Sequence, residues 1–365
     1  MDSKKERLLG LVRANPFIGQ QELADALGLS RSAVAGHIAA LTRERRLLGR
    51  AYVLPKEQPI VCIGGSNIDR KLRGIKPLYL GNSNPASQSE SLGGVARNVA
   101  ENLARLGLPV HLLTAVGQDA AGQALLAHAR QLGVDTRGSL SAADVPTGSY
   151  TAVLNPDGEL LLGLAQMDLC ERMDPDFLRQ CAAQRAQAGL LMLDLNLPRD
   201  SVAALLAESR ESGTTLLAVA VSGPKMERLP EDLQGLDLLL LNRDELAAAT
   251  GISLNSEAAL NRARKQLGQR GLQRLLLTDG GEPLRFCEDL LGGDWQVLKP
   301  PKLKLREVRD VTGAGDAFAA GVCAGLHQDP ADLRSACRLG LRLAALTLQS
   351  EHSVSPELSP ALLER

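Results

Sequence analysis

The segment "RDVTGAGDAFAAGV" (residues 309–322) places two glycines and an aspartate directly before a run of small apolar residues. Residues 313–315 allow the backbone to approach a ligand closely, and residues 317–324 have the composition of a closely packed helix. The first N–H groups of such a helix lack internal partners and attract anions. Asp316 would lie beside this anion site, so a proton acceptor would stand next to bound negative charge, as phosphoryl transfer requires. A glycine turn with an ordinary N-capping aspartate explains the same residues, and both interpretations stay open on this segment alone.

The composition of the whole chain predicts a globular protein of about two domains. Its 365 residues are 44% hydrophobic and 23% charged, which is typical of globular proteins. The six cysteines are scattered without a C-x-x-C pair, so we expect buried thiols rather than disulfides or a zinc site. The N-terminus lacks the pattern of a signal peptide, and no apolar run is long enough to span a bilayer. We therefore expect a cytoplasmic protein with no membrane partner.

The charge is distributed unevenly along the chain. Residues 1–58 carry ten Lys and Arg against six Asp and Glu, a net charge of +4, whereas the whole chain has a net charge of −1. A small basic segment attached to a mildly acidic body indicates that the two parts have different partners.

The basic segment has the pattern of a winged helix-turn-helix. Three amphipathic stretches, "KKERLLGLV", "QQELADALG" and "RSAVAGHIAALTRERR", precede the alternating "LLGRAYVLP" that a hairpin wing would use. In this plan the third helix enters the DNA major groove. We expect the residues on and after the third helix to meet DNA, namely Arg31, Ser32, His37, Arg43 and Arg46. A three-helix module used for dimerisation, with solvated charges, is the alternative.

The pattern changes after a short proline-flanked linker. Apolar runs such as "PIVCIGG", "GLLMLDLN", "LDLLLLN" and "RLLLTDGG" alternate with helical stretches. Buried strands between amphipathic helices predict a mostly parallel sheet covered on both faces. Ligands of such sheets bind at the carboxyl ends of the strands, so the polar residues that end these runs are candidates by position: Asp69, Asp194, Asn196 and Asn242.

A second glycine-rich segment, "SLGGVARNVAENLARLG", begins another helix at Gly93 and Gly94. The chain contains no G-x-x-x-x-G-K-[ST] motif, which excludes a Walker-type phosphate loop. Taken alone, the two glycines fit a structural turn as well as a ligand site.

Together, the two glycine segments resemble the paired signatures of the ribokinase-type (pfkB) sugar and nucleoside kinases. "IGGSNID" resembles the family's first strand with its substrate-binding aspartate, and "LLNRDELAAATG" resembles its N-x-x-E element. The resemblance covers roughly residues 59–350. Within the family it is strongest to pseudouridine kinases, through "GGVARN", the upstream "SNP" (83–85) and the segment "PTGSYTAVLNPDGE".

The resemblance implies an α/β fold: a ribokinase-like, mostly parallel sheet flanked by helices, with a small β lid, following the N-terminal winged helix-turn-helix. The expected domains are 1–54 for the DNA-binding module, 55–59 for a linker and 60–365 for the kinase. Lid segments are expected near 70–92 and 145–165, and this lid often serves as a dimer surface, so we expect a homodimer.

The resemblance also implies roles for individual residues. Asp316 would act as the base, with the backbone of Gly313, Ala314 and Gly315 holding the charge on the γ-phosphate. Asn242 and Glu245 would place Mg²⁺ and the triphosphate. Arg97 would contact the nucleobase of the substrate or a phosphate. The remaining substrate-binding candidates are Asn67, Asp69, Asn84, Gly93, Gly94, Asn98, Thr147 and Ser149. The remaining ATP-binding candidates are Thr278, Gly280 and Thr312.

The chain departs from the family pattern in three places. It has Val219-Ala220 where Asp-Pro is common, Pro283 where a glycine often closes the nucleotide element, and Ala96 where pseudouridine kinases have glycine. We predict an ATP- and Mg²⁺-dependent kinase that phosphorylates the 5′-hydroxyl of pseudouridine, with a monovalent cation as a further candidate cofactor. The alternatives are a kinase of another nucleoside or sugar (ribose, inosine or fructose), or a transcriptional regulator whose kinase-like body senses a ligand.

Overall fold

A computed structural model describes residues 3–15, 17–43, 58–304 and 307–364 of the protein. The chain separates into two compact units, Met1–Lys56 and Glu57–Arg365. Residues 44–57 lie outside the described residues, and they include most of the expected linker. The domain limits expected at 54 and 60 therefore stay a prediction.

The first unit contains three helices around a small apolar core. They are α1 (Ser3–Ala14), α2 (Gln20–Leu27) and α3 (Arg31–Arg43). Gly28 ends α2 in the left-handed conformation, and the Ser30 hydroxyl accepts the Ala33 N–H at 3.2 Å to cap α3. The core is formed by Leu8, Leu9, Leu23, Ala24, Leu27, Val34 and Leu41. The expected wing (residues 47–55) and Arg46 lie outside the described residues.

The second unit is built on an eight-stranded sheet with the order β14-β13-β12-β11-β10-β9-β1-β4. Its strands are β1 (Ile60–Ile63), β4 (Val110–Leu113), β9 (Leu190–Asp194), β10 (Thr215–Val219), β11 (Leu238–Asn242), β12 (Arg274–Thr278), β13 (Leu284–Cys287) and β14 (Gln296–Leu298). The six strands from β4 to β12 in this order are parallel, and β13 and β14 are antiparallel to their neighbours. The predicted mostly parallel sheet is confirmed.

Helices cover both faces of this sheet because successive residues of each strand point to opposite sides. In β1, Val61 and Ile63 join one core and Ile60 and Cys62 join the other. One face carries α6 (Pro175–Gln180), α8 (Arg199–Ser212), α9 (Arg243–Thr250) and α10 (Glu257–Gln269). The other carries α4 (Val95–Arg105), α11 (Ala314–Gln328) and α12 (Leu333–Leu348). The two further helices of this unit are α5 (Ala120–Gln131) and α7 (Ala182–Arg185).

A second, four-stranded sheet has the order β3-β2-β7-β8 and is called the small sheet below. Its strands are β2 (Asn67–Gly74), β3 (Ala86–Gly93), β7 (Gly148–Leu154) and β8 (Leu160–Gln166). A two-stranded parallel sheet pairs β5 (Ala115–Gly117) with β6 (Leu140–Ala142). The strands of the small sheet fall largely in the segments where the sequence predicts lid structure.

One positional expectation differs from the structure. Asp69 does not end a strand of the large sheet, as Asp194 and Asn242 do, but lies in β2 of the small sheet. The chain leaves the large sheet at Gly64 and Gly65 after only four strand residues, and the continuous "IVCIGGSNID" pattern conceals this break. Among the described residues, no helix is long and apolar enough to cross a membrane.

Candidate active site

The start of α11, where the sequence predicts an anion site, depends on the backbone of Gly313. This residue is the N-cap of α11 and has a φ of 81°, a left-handed conformation that glycine adopts readily. A Cβ at this position would also overlap the Ser353 carbonyl group. Asp316 lies in the first turn of α11, and no side chain caps this helix. The alternative of an N-capping aspartate is therefore wrong, and the carboxyl group of Asp316 is available for other contacts.

Asp316 contacts a residue from the other glycine segment. The side-chain amide of Asn98, on α4, donates from Nδ2 to Asp316 Oδ2 at 2.7 Å. Part of Asp316 remains accessible to solvent, but protein surrounds its carboxyl group, and this desolvation raises its pKa to about 7. Asp194 and Asp69 raise this pKa further, while the Asn98 hydrogen bond and the charge of Arg97 lower it. A carboxyl group that titrates near neutral pH is suited to accept a proton and release it again.

Asp194 joins the segments around this carboxyl group. It is completely buried at the end of β9, and its carboxylate accepts the N–H groups of Gly65, Ala96 and Asn196, each at 2.9 Å. Burial raises the pKa of Asp194, whereas the three backbone hydrogen bonds lower it. The sequence marks Asp194 only as the end of an apolar strand, because two of its three partners, Ala96 and Gly65, lie 98 and 129 residues away in the chain.

The small sheet brings Asp69 to the same region. Asn67 Nδ2 donates to Asp69 Oδ1 at 2.7 Å, and β2 pairs Asn67 with Gly93 and Asp69 with Ser91. A Cβ on Gly93 would overlap the Asp69 carboxylate, so this position accommodates only glycine. Burial raises the pKa of Asp69, and Asn67, Lys71 and Arg97 lower it.

Lys71 connects the small sheet to the loop before α11, a contact that sequence reasoning missed. Its ammonium group donates to the carboxylate of Asp310 and, at 3.0 Å, to Thr312 Oγ1. Asp310 also accepts the Thr312 N–H at 2.9 Å. The available signal was that Lys71 follows Asp69 by two residues and so shares its face of the strand.

Arg97 is buried, and its guanidinium group bonds to four neighbouring residues. Nη1 donates to the Leu92 carbonyl at 3.0 Å and to Asn98 Oδ1 at 2.8 Å. Nη2 pairs with Glu101 and with His128 Nδ1, the latter at 3.2 Å. Glu101 and His128 were not singled out from the sequence, although Glu101 lies one helical turn after Arg97.

Three of the expected substrate contacts do not join this cluster. The Asn84 amide bonds to Tyr79 and Asn82 within its own loop. Thr147 is buried, donates to Asp119 Oδ1 at 2.6 Å and accepts the Gly117 N–H. Ser149 pairs with Ile68 in β2, so the strand alternation places it on the opposite face from Asp69.

The expected nucleotide residues lie at the carboxyl ends of β11 and β12. Asn242 pairs with Thr278 across these strands, and Gly280 follows in an exposed turn with a φ of 54°. Asn242 and Glu245 form a reciprocal capping box: Oδ1 of Asn242 accepts the Glu245 N–H at 2.9 Å, and Glu245 Oε2 accepts the Asn242 N–H at 2.7 Å.

The donor set near Asn242 fits a magnesium ion that is held largely by phosphates and water. Among the described residues, no group of three or more His, Cys, Asp or Glu side chains is arranged to hold a metal. Glu245 has a second carboxylate oxygen outside its capping bond, and burial raises the pKa of this carboxyl group. One protein carboxylate with several waters and phosphate oxygens is common for Mg²⁺.

The comparison with known families covers both units. A sequence model of the pfkB family of carbohydrate kinases matches residues 57–359. This chain belongs to the pfkB carbohydrate kinase family. Members of the pfkB family are phosphotransferases that act on hydroxyl groups, so the protein is a kinase of the sugar and nucleoside class. A model of winged helix-turn-helix DNA-binding domains matches residues 1–45, which confirms the predicted N-terminal domain type.

Individual pfkB relatives agree with this assignment. The chain is 30% identical over 361 residues to the uncharacterized sugar kinase YeiI of Escherichia coli, with 98% of this chain and 97% of the relative aligned. It is also 30% identical over 302 residues to the pseudouridine kinase of Escherichia coli, which covers 83% of this chain and 94% of the relative.

Solved structures of kinases match most of the chain. A carbohydrate kinase from Agrobacterium tumefaciens superposes with a TM-score of 0.69 at 34% identity, covering 84% of this chain and 96% of that one. An Arabidopsis thaliana ribokinase in complex with ribose and ATP superposes with a TM-score of 0.70 at 20% identity, covering 85% of this chain and 99% of the ribokinase chain. The second similarity supports the ribokinase-like fold.

Proposed function

We propose that the protein transfers the γ-phosphoryl group of ATP to the 5′-hydroxyl of pseudouridine. The observation that carries this proposal is the Asp316 carboxyl group, which has a raised pKa, lies in the first turn of α11, and is hydrogen-bonded to Asn98. The choice of acceptor is supported by the likeness of "GGVARN" to the pseudouridine kinase signature and by the 30% identity to such an enzyme.

In the proposed reaction, Asp316 takes the proton of the acceptor hydroxyl as its oxygen attacks the γ-phosphorus. The new O–P bond forms while the bond from the γ-phosphorus to the bridging oxygen breaks, and ADP leaves. The N–H groups of residues 313–316 would stabilise the charge on the transferred group, because the first N–H groups of a helix lack intrahelical partners and attract anions. The Ala314 N–H donates to the Val311 carbonyl at 3.4 Å and would exchange this bond for the phosphate. Asp69 and Asn98 would bind the sugar hydroxyls and hold the attacking oxygen close to Asp316.

The residues around Asn242 and Glu245 would hold the nucleotide. When bound, Mg²⁺ would neutralise charge on the β- and γ-phosphates. Glu245 Oε1 is the protein atom we assign to it, directly or through water. Thr278, Gly280 and Thr312 would line the path of the nucleotide between the ends of β11 and β12 and the start of α11.

We further propose that the first unit binds DNA. The match to winged helix-turn-helix DNA-binding domains and the net charge of +4 in residues 1–58 support this second function. In α3, Arg31, Ser32 and Arg43 are exposed and His37 is half-buried. The kinase would then be joined to a regulator that contacts a duplex through α3.

A panel of acceptors tests the proposed reaction. ATP consumption should be fastest, by kcat/KM, with pseudouridine, and the product should carry phosphate on its 5′-oxygen by mass spectrometry and ³¹P NMR. Uridine is the matched control, because it has the same ribose and differs in the glycosidic bond. Faster turnover of ribose, inosine or fructose would show that this compound, and not pseudouridine, is the preferred acceptor. No turnover with any acceptor, despite measurable binding, would favour the ligand-sensing regulator.

A further inference from the structure

The orientation of the Asn98 side chain determines what Asp316 meets. An amide group presents an oxygen on one side and two N–H donors on the other. With Nδ2 toward Asp316, as here at 2.7 Å, the amide stabilises the carboxylate. With Oδ1 in that place, two acceptors would face each other and the ionised carboxylate would be disfavoured.

Arg97 settles this orientation, because a guanidinium group can only donate hydrogen bonds. Its Nη1 lies 2.8 Å from Asn98 Oδ1, so that side of the amide must be the oxygen. The opposite side, which carries the N–H donors, is then the one that faces Asp316. The main-chain carbonyl of Asn98 accepts a separate bond from Asn102 Nδ2 at 2.8 Å, which does not bear on the orientation of the side-chain amide.

Arg97 is itself held in place by buried partners. Nη1 also donates to the Leu92 carbonyl, and Nη2 contacts both Glu101 and His128. Arg97 is only 4% exposed and Glu101 only 6%. Burial lowers the pKa of His128, so its ring is neutral near pH 7 and Nδ1 accepts from Arg97. Both terminal nitrogens of the guanidinium group are therefore engaged within the protein.

We propose that Arg97 is a positioning residue that acts through Asn98: it fixes the amide so that Asp316 receives an N–H group instead of an oxygen. This inference rests on the proposed role of Asp316 as the base. The sequence instead favours a contact between Arg97 and the nucleobase or a phosphate, which would affect substrate affinity. The role proposed here affects the ability of Asp316 to accept a proton.

Charged groups surround both Asp316 and Arg97, and the test must control for their effects. Asp316 is faced by Asp194 from β9, by Asp69 from β2 and by Arg97 from α4. Arg97 is faced by Glu101 and Arg105 from its own helix, by His128 from α5 and by Asp69. Glu90 of β3 and His352 line the groove beside it. Arg105 bonds to Glu101 through Nε at 2.9 Å, and no bond of Arg105 to Asn98 is found among the described residues.

The test compares the pH dependence of kcat at saturating pseudouridine in the full-length protein. Arg97→Met is combined with Glu101→Gln, so that the buried Glu101 carboxylate does not stay charged after losing one of its two arginine partners. The acid limb of the profile should move up by about one pH unit, which lowers kcat at pH 6.5 about 5- to 10-fold, while the KM for pseudouridine changes less than about threefold. Arg105→Met is the matched control and should leave the limb in place.

A double-mutant cycle separates action through Asn98 from a direct effect of charge. In an Asn98→Ala background, the Arg97→Met and Glu101→Gln changes should move the limb much less than they do with Asn98 present. Arg97→Lys, which keeps the charge but not the planar geometry, should give a smaller upward shift. If the double variant does not fold, the shift of the acid limb in Arg97→Lys still tests the inference.

Two results would overturn the inference. An unchanged acid limb with a KM for pseudouridine raised tenfold or more would show that Arg97 binds the substrate. An unchanged limb and an unchanged KM would leave Arg97 a purely structural role. Asp316→Asn distinguishes these failures from failure of the proposed function: if that variant turns over like the wild type, the base assignment is wrong whatever Arg97 does.

Discussion

Among single residues, Asp316 shows how surroundings change the chemistry of an ordinary carboxyl group. Its neighbours include two further aspartates, Asp69 and Asp194, and one hydrogen-bond donor, Asn98. Desolvation and like charges favour the protonated form, while the donor favours the charged form, and burial has the largest effect. The sequence identifies the aspartate from its glycine context, but its pKa depends on residues far away in the chain.

Replacement of Asp316 by asparagine should separate catalysis from stability. We expect kcat to fall by about 10²–10⁴-fold, the usual effect of losing a general base. In the wild type, kcat should rise as the pH passes through about 7, because the carboxyl group must lose its proton before it can accept one. Steady-state rates between pH 5.5 and 9 provide the measurement, and turnover within threefold of the wild type would contradict the mechanism.

The same variant should be more stable than the wild type at alkaline pH. The ordinary pKa of this group is 3.8 and the folded value is about 7, so the folded state binds the proton more tightly. The free energy of unfolding therefore falls as the pH rises between these values, and the loss is complete above pH 7. Asp316→Asn should raise Tm at pH 8, by about 2–4 °C per kcal/mol relieved, and should raise it less at pH 5, where only part of this loss has occurred. Equal Tm values at pH 8 would contradict the raised pKa.

Among the secondary-structure elements, β2 forms a different ion pair on each of its two faces. On one face, Asp69 lies near Asp316, and Lys71 bonds to Asp310 and Thr312. On the other face, Arg70 pairs with Glu90 at 2.8 Å. The Lys71 and Asp310 side chains are 29% and 24% exposed, and those of Arg70 and Glu90 are 43% and 47% exposed. The strand therefore presents a partly buried and an exposed ion pair at adjacent positions.

Lys71→Met should impair catalysis more than Arg70→Met does. Loss of the Lys71 bonds frees the loop at Asp310 and Thr312 from the strand that carries Asp69, so acceptor and phosphate sites lose their alignment. We expect kcat/KM for the acceptor to fall about tenfold, which corresponds to roughly 1.4 kcal/mol. Arg70→Met is the matched control, because exposed ion pairs contribute about 0–1 kcal/mol. Equal effects of the two variants would argue against a functional link.

At the scale of the whole molecule, the small sheet ends in an apolar edge. Four leucines of β8 are exposed: Leu160 (59%), Leu161 (49%), Leu162 (51%) and Leu164 (55%). β8 is an edge strand with exposed side chains on both faces. An uncovered apolar edge strand favours association, and we propose that a second copy of the chain covers it in a homodimer.

Charged residues on this edge should disrupt the dimer. We expect sedimentation of the wild type to give about twice the chain mass of 38.8 kDa, and Leu162→Lys with Leu164→Lys to give the monomer, because a buried lysine would lose its hydration. Leu291→Lys, at an equally exposed leucine between β13 and β14, is the control. A monomeric wild type, or a dimeric double variant, would contradict the proposal.

The two units should also be separable in function. Deletion of residues 1–54 should leave kinase turnover largely intact, because the proposed site uses only residues of the second unit. The full-length protein should bind duplex DNA, and binding should weaken as the salt concentration rises, because the release of counterions from the DNA then becomes less favourable. Arg31→Ala should weaken binding and any sequence preference, whereas Arg7→Ala, at an exposed arginine of α1, should have little effect. No DNA binding at low salt would make the first unit structural.

The sequence by itself determined the fold class, the two glycine segments and the type of the N-terminal domain. Continuous apolar runs predict strands that are buried on both faces, and amphipathic helices show which helix face is buried. This information is local, so it can be read along the chain. The glycines before α4 and α11 are local signals too, because a positive φ or a close approach excludes other residues at those positions.

Only the tertiary structure decided which side chains meet. It joined Asn98 to Asp316 and Lys71 to Asp310, and it directed Thr147 and Ser149 away from Asp69. These contacts depend on strand order, on the face of β2 and on the break after β1, none of which appears as a local pattern. Desolvation likewise arises from all the surrounding elements together, so the pKa of Asp316 follows from the fold and not from the motif that carries it.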